Sequence, residues 1–93
     1  MTVHVVSRVR IHDQDAMARY VAEAPATVEA YGGHYLYRGA EVSALEGSWE
    51  HDRMVLLAFP TRALALAWYD SPEYRPLRDL RQDSAEAIIL LVG

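Results

Sequence analysis

The sequence predicts an α+β fold: an antiparallel sheet with both helical regions on one face, in the order strand, helix, strand, strand, helix, strand. Three observations lead there. Apolar residues alternate with a period of two over Val3–Ile11 and recur at three-to-four spacing through residues 16–31. They also fill both parities of two later segments, Arg53–Phe59 and Ala85–Val92.

In the first segment Val3, Val5, Ser7, Val9 and Ile11 share one face, while His4, Val6, Arg8 and Arg10 share the other, as a strand with one core face requires. Asp13 or Asp15 is placed to cap the helix that follows, since a short carboxylate accepts the unpaired amides of a first turn. Met17, Tyr20, Val21, Ala24, Val28 and Tyr31 form its apolar stripe. Pro25 inside that stripe predicts a kink or a split. Gly32-Gly33 ends the helix, because glycine enters left-handed backbone without steric penalty. Residues 34–45 read as a second strand and 46–52 as the turn. Arg53–Phe59 reads as the third strand, closed by Pro60-Thr61. Residues 62–70 are almost wholly apolar, which predicts a helix covered on more than one side. Ser71-Pro72 restarts a helical turn with serine as cap, and Pro76 predicts a short or irregular piece. Ala85–Val92 is the last strand. The sum is a ferredoxin-like βαββαβ plan.

Composition sets limits on partners. The chain has 93 residues, 52% of them apolar, and reads as a single domain over residues 1–93. The third and fourth strands are apolar on both faces, and the helices cover only one of them. A second copy is the expected cover, giving a homodimer built through the sheet. A net charge of −4 argues against a nucleic-acid partner. No apolar run is long enough for a membrane span, and the first residues enter a strand pattern with no basic leader, so a cytoplasmic location is expected. Cysteine is absent and all nine cations are arginine, which removes thiolate and lysine-amine chemistry. His4, His12, His34 and His51 are scattered without metal-ligand spacing, so no metal site and no cofactor are expected.

Several segments in order carry a resemblance. They are Tyr31-Gly32-Gly33, Tyr35-Leu36-x-Arg38-Gly39, Leu45-Glu46-Gly47-x-Trp49, Arg53-x-Val55, Phe59-Pro60-Thr61, and Ala67-Trp68-Tyr69-x-Ser71-Pro72-Glu73-Tyr74 followed by Arg81. Over essentially its whole length the chain resembles the bacterial family catalogued as domain of unknown function thirteen-thirty, in the dimeric α+β barrel superfamily. Ala40 replaces the second glycine usual after Arg38. Ala58 stands where an acidic residue often precedes Phe-Pro, which removes a candidate proton carrier. The resemblance implies a dimeric barrel with the ligand between sheet and helices of one subunit, and no particular reaction. Wider relatives include monooxygenases, isomerases and cyclases. Haem-degrading members need a histidine on the second helical region, and this chain has none after His51.

The candidate site residues follow. Arg38 amid aromatic rings can hold a carboxylate or enolate, or it can pair with Glu41 or Glu46. Glu46 and His51, near Trp49 and Arg53, can move a proton if burial draws their pKa values together, or can form a solvated turn. Tyr35, Trp68 and Tyr74 can wall a pocket, with Trp68 equally suited to the core. Ser7, polar on an apolar face, can donate into a cavity or bond nearby backbone. The resulting expectation is a cofactor-independent enzyme of isomerase, cyclase or monooxygenase type, acting on a small aromatic or enolisable carbonyl compound. A non-catalytic binding protein and a purely structural dimer are the alternatives.

Overall fold

The computed structural model describes residues 2–50 and 53–93. Its elements are β1 (Val3–Ile11), α1 (Gln14–Ala30), β2 (His34–Gly39), β3 (Arg53–Phe59), α2 (Arg62–Tyr69), α3 (Arg75–Ser84) and β4 (Ala85–Val92). The strands form one antiparallel sheet in the order β2-β3-β1-β4. This is the ferredoxin-like arrangement that the sequence predicts. The alternation in β1 is realised directly: Val3, Val5, Ser7 and Val9 are buried under the helices. Phe59, Trp68, Tyr74, Val28 and Leu77 complete the core there.

Helix α1 opens as expected, with Asp13 Oδ1 accepting the Ala16 amide at 3.1 Å. Pro25 does not split it. One helix runs from Gln14 to Ala30 with the proline inside. A proline deprives the carbonyl four residues earlier of its usual donor. Here that carbonyl belongs to Val21, and the Arg38 guanidinium, reaching across from β2, donates to it at 3.2 Å through Nη1. A tertiary contact thus supplies the partner that the helix lacks.

Three further departures have physical reasons. Strand β2 stops at Gly39, and residues 40–50 carry no helix or strand. That segment is anchored by side chains of β1 instead. The Arg8 guanidinium lies 5.2 Å from the Trp49 ring centre, and Arg10 donates to the Glu50 carbonyl. Helix α2 buries only Ala65 and Trp68 and leaves Leu66 exposed, so its apolar surface is covered on one side alone. Pro76 falls in the first turn of α3, where its missing amide removes no helical bond, and the helix runs on for ten residues. Ser71 makes the corner between α2 and α3. Its hydroxyl donates to the Trp68 carbonyl at 2.8 Å and accepts the Tyr74 amide at 3.1 Å.

Among the described residues no helix packs on the outer face of the sheet, where Trp49 and Glu50 meet the outward Arg8 and Arg10. Leu36, Ile88, Leu90 and Val92 are 52%, 43%, 51% and 49% exposed, beside the outward Val6, Met54 and Leu56. No helix among the described residues is long and apolar enough to cross a membrane.

Candidate functional site

A cavity lies between sheet and helices. Ser7 of β1 lines it from below, flanked across the ladders by Val55 and Ile89. Tyr20 and Val21 of α1 come from above, Tyr35 and Arg38 from β2, and Trp68, Tyr74 and Arg81 from the second helical region. Arg53 also contributes.

Strand β2 reaches the cavity twice because its register shifts between Tyr35 and Tyr37. Tyr35 then pairs with Leu57 and Arg38 with Val55, both on the helix-facing side of β3, although they stand three positions apart. In regular strand two residues three apart face opposite ways. The bulge aligns them. The Arg38 guanidinium lies 5.2 Å from the Tyr35 ring centre while also bonded to Val21, so Arg38 bridges β2 to α1 at the cavity mouth.

The aromatic wall is fixed from behind. Trp68 Nε1 donates to Thr27 Oγ1 at 3.0 Å, and that hydroxyl donates on to the Ala24 carbonyl at 2.7 Å. The Trp68 ring packs against Tyr74 at 4.2 Å between centres and against Phe59 at 5.4 Å. Trp68 is therefore both core and wall. Tyr74 is fully buried, and its hydroxyl shares a hydrogen bond of 2.5 Å with that of Tyr20. Burial, followed by the neighbouring Tyr74, pushes the Tyr20 phenol well above its ordinary pKa, so Tyr20 stays protonated near neutrality. Burial likewise raises the Tyr35 phenol.

Arg81 entered the sequence reading only as the last residue of the family resemblance and was not among the expected site residues. It is 5% exposed and lines the cavity, and its Nε and Nη2 have no hydrogen-bond partner. Burial disfavours its cation, but the oxygens of Tyr74 and Tyr20 more than offset that and leave its pKa raised. Leu77, Arg81 and Ser84 occupy one stripe of α3 at helical spacing, all buried. That stripe, with Tyr74 one turn earlier, was the available signal. Expecting an irregular piece after Pro76 hid it.

Of the expected residues, Ser7, Tyr35, Arg38, Trp68 and Tyr74 come together around the cavity. Glu46 does not. It stands exposed in the segment that Arg8 and Arg10 hold at its far end, by outward side chains of β1 on the opposite face of the sheet. His51 lies outside the described residues. No aspartate, glutamate or histidine lines the cavity among the described residues, which contribute three arginines instead. No cluster of three or more His, Cys, Asp or Glu suited to a metal ion occurs among them either. The enclosed space is small, about 30 Å³, which admits one or two waters. Arg81 and Ile89 also line a larger recess of about 320 Å³ at the β4 edge, with Tyr69, Gln82, Ala85 and Ala87.

No curated protein matches the sequence. Solved structures do share the fold. A protein of unknown function from Rhodopseudomonas palustris superposes with a TM-score of 0.80 at 20% identity, covering 98% of this chain and 80% of that one. A dimeric ferredoxin-like protein of unknown function from Jannaschia sp. CCS1 gives 0.75 at 13% identity, covering 100% and 99%. SnoaB, a cofactor-independent oxygenase from Streptomyces nogalater, gives 0.70 at 13% identity, covering 99% and 91%. The family model for the domain of unknown function DUF1330 matches residues 2–93, and the chain belongs to that family.

Proposed function

We propose that this chain is one small-molecule-binding domain, paired with a second copy through its open sheet face. In this reading it acts without a cofactor on a small aromatic or enolisable carbonyl compound. The observation that carries the reading is the hydroxyl pair of Tyr20 and Tyr74, set beside Arg81 within an apolar core. One hydroxyl of the pair donates to the other, which leaves the second proton free to donate to a ligand oxygen. As an α-proton leaves the substrate for water, the C–H electron pair moves into the C–C–O unit and the charge settles on oxygen. The free tyrosine proton and the Arg81 cation stabilise that charge in a site with room for only one or two waters. Ser7, Tyr35 and Trp68 shape the space, and Arg38 holds its mouth.

A test needs no knowledge of the physiological substrate. Deuterium uptake at the α-carbon of phenylpyruvate, and of its neutral counterpart phenylacetone, is followed by NMR. The enzyme reading expects exchange above buffer with at least one probe. It also expects Tyr74→Phe to slow that exchange by on the order of 100-fold with the fold retained. Exchange that equals buffer with both probes contradicts it. Among the described residues no carboxylate or imidazole base lines the cavity, which favours a second reading, a binding protein that does no chemistry. That reading expects both probes to bind and neither to exchange.

A further inference from the structure

The geometry points to a carboxylate subsite at Arg81, which makes the ligand a small organic monoanion anchored through a planar, two-oxygen group. This deepens the reading above and rests on the same cavity. A buried guanidinium is ordinarily matched by acceptors, because desolvating an ion without partners costs several kcal/mol. Arg81 is 5% exposed, and two of its donor nitrogens, Nε and Nη2, have no partner. Those two lie on one edge of the planar guanidinium. They present parallel N–H groups at the spacing of a carboxylate's oxygens, the arrangement of a bidentate pair.

The surroundings supply further donors. The proton left over from the Tyr20–Tyr74 pair lies in the same cavity, and Arg53 and Arg38 add positive charge. No acidic side chain among the described residues lines the space to neutralise it. The free volume of about 30 Å³ suits a headgroup and excludes a ring. A ligand larger than acetate therefore seats only its charged end here. The recess of about 320 Å³ that shares Arg81 and Ile89 with the cavity is the proposed place for its body.

Matched acids and amides test this, since each pair differs in charge far more than in shape. Acetate is compared with acetamide and benzoate with benzamide at constant ionic strength. The readouts are thermal unfolding and the fluorescence of Trp68 in a Trp49→Phe background. The subsite predicts that acetate raises the melting temperature and perturbs Trp68 while acetamide does neither. It predicts that Arg81→Met abolishes the response and that Arg81→Lys, which keeps the charge but loses the fork, retains a weakened one. The melting temperature of Arg81→Met without ligand is the reference for its own response, since the Tyr74 and Tyr20 oxygens favour the cation in the folded state. Equal responses to acid and amide overturn the subsite and leave the pocket reading standing. Silence from all four compounds also overturns the subsite, while the ketone exchange above tests the pocket independently. Acetate that stabilises Arg81→Met as much as the parent also overturns the proposal. Should that variant fail to fold, the parent's discrimination between acid and amide and the Arg81→Lys response still decide.

Discussion

Two arginines and two tyrosines illustrate what residue identity alone reveals. Arg38 is conspicuous in sequence because tyrosines and glycines surround it, yet its guanidinium is committed to the Val21 carbonyl and the Tyr35 ring. Arg81 sits in an unremarkable polar stretch and is the buried one. The difference is helix phase, which composition does not show. Tyr20 fell on the apolar stripe of α1 as expected, but its hydroxyl found a partner 54 positions away, which no local pattern encodes. That partnership has a measurable consequence. The folded chain holds the Tyr20 proton to a pH well above the unfolded value of 10.0. Above pH 10.0 the unfolded state loses its proton first, so this stability is intact below that value and falls as pH rises toward the folded one. Tyr20→Phe removes this contribution. Denaturant midpoints measured from neutrality into the alkaline range should decline less steeply in Tyr20→Phe than in the parent.

At the scale of elements, strand and helix periods were legible wherever side chains face one environment. β1, β3, β4 and both caps at Asp13 and Ser71 agree with their patterns. The failures occur where a distant group substitutes for a local one: Arg38 for the donor that Pro25 lacks, and Arg8 and Arg10 for pairing beyond Gly39. The bulge in β2 was invisible for the same reason, since its register is set by β3. The turn from α1 into β2 is more tightly specified. Gly32 has a φ of +80°, which favours glycine, and a Cβ on Gly33 would stand 2.5 Å from the Phe59 ring. Phe59 is 1% exposed and packed on Trp68, so it has nowhere to retreat. Gly33→Ala should therefore destabilise the protein by about 1–3 kcal/mol, read as a lower denaturant midpoint at unchanged slope.

For the whole molecule, the open face of the sheet and the cavity beneath its other face define the account. The outward apolar residues of β4 lie exposed and Met54 and Leu56 of β3 half-buried, as a two-sided apolar pattern leaves them when helices cover one face. A charge at the centre of the open face should separate two copies without unfolding either. Leu90→Arg is accordingly expected to shift the protein to monomer in light scattering while its far-ultraviolet circular dichroism stays unchanged. The cavity's chemistry was less legible than its walls, since the aromatic residues announced themselves and the central cation did not. Native mass spectrometry of gently purified protein tests both features together. The account predicts a dimer that carries, or takes up from added benzoate, one small acid per chain. A monomer, or a dimer that takes up benzamide as readily as benzoate, would contradict it.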